Sequence, residues 1–102
     1  MNSARIKLTD KNTSFIKTTI IGIKKAYRPL FPEFKKPFTL VTDIGEIETN
    51  AGICKSGKSC ALEIREGMSK WYRAHPELKV GDTFLITVIK PMERYCLEIL
   101  KE

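Results

Sequence analysis

Apolar and polar positions alternate most legibly between Met68 and Ile89. Met68, Trp71, Tyr72 and His75 recur at i, i+3, i+4 and i+7, which predicts one buried face of a short helix, and Pro76 ends it by clashing with the preceding turn. Gly81-Asp82 then predicts a turn into a strand over residues 83–89. Both alternating sets of that strand, Phe84/Ile86/Val88 and Leu85/Ile89, are apolar, so it is expected inside a sheet and covered on both faces.

Elsewhere the pattern is shorter. Residues 1–13 are polar without a sustained period and read as a flexible arm, leaving a single domain over 14–102. Residues 14–23 are rich in β-branched side chains and predict a first strand; residues 24–31 predict a short helix limited by Pro29. Residues 37–43 predict a second strand, Asp43-Ile44-Gly45 a turn, and residues 46–49 a third, alternating strand. Two short strands, 53–54 and 59–64, are expected around the turn Lys55-Ser56-Gly57-Lys58, and Tyr95, Leu97 and Ile99 alternate in a last one after the turn at 91–94. Seven short strands and two short helices without a βαβ rhythm predict a mainly β fold, a small, largely antiparallel open barrel.

A chain of 102 residues with 42% hydrophobic content suffices for one modest core and leaves no room for a separate catalytic domain. Cys54, Cys60 and Cys96 are an odd set without C-x-x-C spacing, which argues against a disulfide framework or a zinc cage and fits a reducing cytoplasm. The first residues lack an apolar signal core, and no apolar run approaches the roughly 18 residues of a membrane span. The net charge of +6 is uneven: residues 1–36 hold nine Lys/Arg against Asp10 and Glu33, whereas the remainder holds nine against ten acids. A positive field concentrated in one part of the chain suits a polyanion, and nucleic acid is the usual one; a solvated face that aids solubility is the competing reading.

Two sequence blocks carry a family likeness. Gly67-Met68-Ser69-Lys70-Trp71 followed by Leu78-Lys79-Val80-Gly81-Asp82, together with Ile23-Lys24-Lys25-Ala26-Tyr27 leading to Phe31-Pro32, resembles the DNA-binding pseudobarrel of the B-three superfamily. Plant auxin-response and abscisic-acid-response transcription factors carry that domain, as do recognition modules of some bacterial restriction enzymes. The likeness runs from about Phe15 to Leu100; the Leu-Lys-x-Gly-Asp turn alone also occurs in swapped-hairpin transcription factors, so order and spacing carry it. It implies two arms that grip the DNA major groove, the first at Thr18 to Lys25 and the second around Lys55-Ser56-Gly57-Lys58. The longer connection that precedes the first helix in the plant domains is expected to be missing here, which favours a prokaryotic relative.

The residue chemistry points the same way. Lys17, Lys24, Lys25 and Arg28 lie close in sequence, and Lys55, Ser56, Lys58 and Ser59 surround a turn where ammonium, hydroxyl and backbone N–H groups can meet phosphates. Arg28 is the residue among them suited to bind guanine bidentately, and Lys35 and Lys36 either extend the basic track or sit in a solvated loop. The expectation is a non-enzymatic binder of double-stranded DNA, sequence-specific through its two arms, with no cofactor or metal and with or without a partner protein. The alternatives are an adaptor module on the same barrel, an RNA or single-strand binder, and a nucleotide-binding loop. The last rests on Gly52 to Ser59, which fits G-x-x-x-x-G-K-[ST], a motif that requires a helix after the loop and a strand ending in a magnesium-holding Asp. His75 is expected to pack or cap its helix, Cys54 and Cys60 to act as small apolar groups, and Trp71 and Tyr72 to belong to the core rather than stack on bases.

Overall fold

A computed structural model describes residues 2–9, 14–53 and 60–102. The arm expected over residues 1–13 contains a strand, β1 (Ser3–Lys7). Its alternation sends Ala4 and Ile6 inward, with Leu8 just beyond, all three buried, and it pairs antiparallel with β6 (Thr83–Lys90) from Ser3↔Thr87 to Lys7↔Thr83. Three small or medium apolar residues make a weak signal alone; the partner strand supplies the rest.

The single strand expected over 14–23 is divided into α1 (Ser14–Thr18) and β2 (Ile21–Lys24). Thr19 takes a left-handed φ of 54°, and the Ile20 N–H donates to the Phe15 carbonyl at 3.1 Å, turning the chain back. Gly22 makes that return possible: a Cβ there would lie 2.6 Å from Phe15 Cζ, so the ring packs against bare backbone. Close packing thus overrides the β propensity of the segment.

Lys25–Leu30 is a 3₁₀ helix, followed by β3 (Pro37–Thr42), β4 (Gly45–Gly52), β5 (Cys60–Ile64), α2 (Met68–Arg73), β6 and β7 (Arg94–Leu100). Strand β4 runs past Thr49 to Gly52, and Ile53 lies outside any strand; Cys54 falls outside the described residues. Seven strands are present as expected, but β1 replaces the strand expected at 53–54, and the short helices number three among the described residues.

The strand order is β1-β6-β7-β3-β4-β5-β2, with β3 and β7 parallel and every other neighbour antiparallel. The edges β1 and β2 leave one seam of the nearly closed barrel unsealed, and residues 8–20, α1 included, connect them. Inside, Trp71, Phe84 and Tyr95 are among the largest fully buried side chains. Trp71, Tyr72 and Phe84 meet edge to face, while Phe31, Phe38 and Tyr95 form a second cluster. Strand β6 is flanked on both sides as expected, yet only Phe84 and Ile86 are buried; Leu85 is half-buried and Ile89 is exposed, so its outer face is not fully covered.

Candidate nucleic-acid interface

The antiparallel β2–β5 pair organises the candidate surface. Its register runs Ile21↔Ile64, Gly22↔Glu63, Ile23↔Leu62 and Lys24↔Cys60, with an irregularity between Ile23 and Lys24. Ile21, Gly22 and Ile23 are buried, and Lys24 and Lys25 emerge into solvent where β2 ends. Because β5 begins at Cys60, the β4–β5 connection joins it at the Lys24 end. That connection carries Lys55, Ser56, Lys58 and Ser59, which lie outside the described residues.

Lys17 is elsewhere. It sits exposed on α1, before the opposite end of β2, where Thr19 Oγ1 approaches Ser69 Oγ of α2 to 3.4 Å. A four-residue strand spans roughly 10 Å, so the basic group that is contiguous in sequence is divided between two ends of one strand. None of the ion pairs among the described residues engages Lys17, Lys24 or Lys25.

Arg28 has a structural task. Its Nη1 donates to the carbonyls of Phe31 and Pro32, each at 3.0 Å, and its guanidinium lies 4.9 Å above the Phe34 ring centroid. The arginine thereby uses Nη1 to fix the exit of the 3₁₀ helix and is half-buried. Lys35 and Lys36 are exposed, and the Lys35 N–H donates to the Ala51 carbonyl at 2.9 Å, tying their loop to β4.

The outer face of β4 and β5 between the two ends holds residues that the sequence did not single out. Glu63, beside Gly22 and Gly52 in the sheet, is 5% exposed, and its Oε1 accepts from Arg65 Nη2 at 2.8 Å and Nε at 3.3 Å. The sequence does show Leu62 and Ile64 alternating with Glu63 and Arg65, but an i, i+2 charged pair on a strand ordinarily faces solvent.

At the far side of the barrel, His75 bridges Asp43 and Glu77, with Nε2–Oδ2 at 2.8 Å and Nδ1–Oε1 at 3.0 Å, and its ring packs on Trp71. Trp71 Nε1–H donates to Asp43 Oδ1 at 3.3 Å. Burial works against the charged imidazole, but the two carboxylates outweigh it and raise its pKa above the ordinary value. Trp71 and Tyr72 are core residues. Cys96 is a half-buried free thiol whose pKa is raised by burial and by Glu98.

The residues after the loop-like motif at 52–59 form strand β5, so the helix whose N-terminus a nucleotide-binding loop needs is replaced by a strand. Among the described residues no group of three or more His, Cys, Asp or Glu is placed to hold a metal ion, and no helix is long and apolar enough to cross a membrane.

No protein-family model matches the chain, and no curated protein matches it significantly. Solved structures do. The fold is similar to the N-terminal domain of Helicobacter pylori LlaJI.R1, with a TM-score of 0.74 at 16% identity over 98% of this chain and 81% of that one. It is also similar to the hypothetical Arabidopsis thaliana protein At1g16640.1, with a TM-score of 0.60 at 12% identity over 98% and 90% of the two chains. These likenesses show a shared fold and are consistent with a B-three-like pseudobarrel.

Proposed function

We propose that the protein is a non-catalytic binder of double-stranded DNA that recognises sequence through two arms in the major groove. One arm is the β1–β2 connection with Lys17; the other is the β4–β5 connection with Lys55, Ser56, Lys58 and Ser59, joined by Lys24 and Lys25. The observation that carries this reading is the pairing of Lys24 with Cys60, which puts the exposed end of β2 beside the start of β5 while Lys17 stays at the opposite end. Two basic points separated by a short strand suit two stretches of phosphate backbone better than a single compact anion. The net charge of +6 and the shared fold support the same conclusion.

Selection from a random duplex library, followed by anisotropy on enriched and scrambled duplexes at two salt concentrations, tests it. The expected result is a consensus bound at least about a hundredfold tighter than scrambled DNA, with binding that weakens as salt rises. Absence of duplex binding at low salt, or a preference for single strands, refutes it and leaves the adaptor reading in first place.

A further inference from the structure

We infer that Arg65, held by the buried carboxylate of Glu63, is a guanine-reading residue on the face between the two arms. The inference rests on the DNA-binding reading above and assigns a specificity element to it. Glu63 lies in the middle of the β4–β5–β2 platform, between Gly22, whose bare backbone the Phe15 ring covers, and Gly52, where the missing side chain leaves room beside it. Its carboxylate is nevertheless buried, while the Arg65 side chain that it holds is half exposed.

The hydrogen-bond pattern decides which donors remain. Nε and one Nη2 proton are directed at Glu63 Oε1, which leaves the second Nη2 proton and both Nη1 protons at the outer end of the guanidinium. That end is the planar fork that matches guanine O6 and N7 in the major groove. An arginine already fixed in one rotamer surrenders less conformational freedom on binding than a free one.

The surroundings favour a base edge over the backbone. Arg65 lines a concavity of about 470 Å³ with Asn50, Ile53, Glu63, Glu66 and Phe34. Lys35 also borders it, so two cations and two carboxylates cancel. Phosphate would meet the two acids at close range, whereas a base carries no net charge and tolerates them. Asn50 adds a second group able to donate and accept at a neighbouring base.

The test compares wild type, Arg65→Lys and Glu63→Gln on the selected duplex and its single-base-pair variants, with folding of each protein checked by circular dichroism. In wild type, replacement of one guanine is expected to weaken binding roughly 5- to 150-fold. Arg65→Lys keeps the charge and loses the fork, so that ratio falls to within about twofold while other positions keep theirs; Glu63→Gln lowers it at the same position. Retention of every preference by Arg65→Lys overturns the inference, as does a Glu63→Gln that folds and weakens all duplexes equally. If Glu63→Gln does not fold, the exposed Arg65→Lys decides alone. Wild-type duplex binding without base preference overturns the inference and leaves general duplex binding standing; no duplex binding overturns both.

Discussion

Replacement of Tyr72 by Phe isolates the bond that fastens the first arm to the barrel. The Tyr72 hydroxyl donates to the Ile20 carbonyl at 2.6 Å, linking α2 to the residue where the chain leaves α1 and enters β2. Tyr72 is 5% exposed, and its burial raises the phenol pKa, so the hydroxyl stays a neutral donor throughout the physiological range. Phe keeps the ring and its edge contacts with Trp71 and Phe84, with centroids 5.1 and 6.2 Å away, and removes only the donor. An acceptor left unpaired in a protein interior costs about 1–3 kcal/mol. Ile20 is half-buried, so its carbonyl has some access to water, and about 1–2 kcal/mol is expected. For a domain of this size that lowers the melting temperature by roughly 5–15 °C. Tyr72→Ala also removes the ring and should cost about 3–5 kcal/mol. Urea denaturation followed by circular dichroism measures both, since the emission of the single Trp71 is itself altered by a change in the touching ring. A Tyr72→Phe protein within about 0.3 kcal/mol of wild type, or one as unstable as Tyr72→Ala, refutes the argument.

Further consequences are separable. Lys24→Ala/Lys25→Ala is expected to reduce the slope of log affinity against log salt by about 1.8, with little change in the ratio between consensus and scrambled duplex; an unchanged slope removes these lysines from the phosphate contacts. Gly67, the residue before α2, has φ 77°, and a Cβ there would lie 2.7 Å from Ile47 Cγ2, so Gly67→Ala should destabilise the fold by at least about 1–2 kcal/mol, and a neutral result in urea titration contradicts that packing. The raised pKa of His75 means that its charged form stabilises the fold fully below about 6.5 and loses that contribution as pH rises through the higher folded value. The lowered pKa values of Asp43 and Glu77 work in the other direction, as pH falls through their folded values. Thermal melts from pH 5 to about 8.5 should therefore fall more steeply for wild type than for His75→Gln, and parallel curves would exclude the clamp.

The legible parts of the sequence were those whose signal is local. The i, i+3, i+4 spacing of Met68, Trp71 and Tyr72 and the apolar content of residues 83–89 specify α2 and β6 because each pattern repeats over enough residues to define a face. The same logic yields the mainly β class and the open barrel, while the count of seven strands agrees only because β1 stands in for the strand expected at 53–54. Local signals failed where a non-local partner decides. Strand β1 takes its stability from β6, some eighty positions away, and α1 from the vacancy above Gly22.

The candidate surface divides along the same line. Composition made a basic module the natural expectation and the family resemblance implied two arms; Lys17, Lys24 and Lys25 are exposed. Their grouping was a different matter: reversal of the chain at Thr19 and the antiparallel register with β5 separate Lys17 from Lys24, and Arg28 spends donors on the Phe31 and Pro32 carbonyls. Arg65 was invisible, because its orientation depends on how deeply Glu63 is buried between strands distant in sequence. The sequence by itself determined the elements with their own periodicity and the sign of the charge. Only the tertiary structure decided which charges share an end of the barrel and which are held in place, because both depend on pairings between residues whose separation along the chain carries no information about their separation in space.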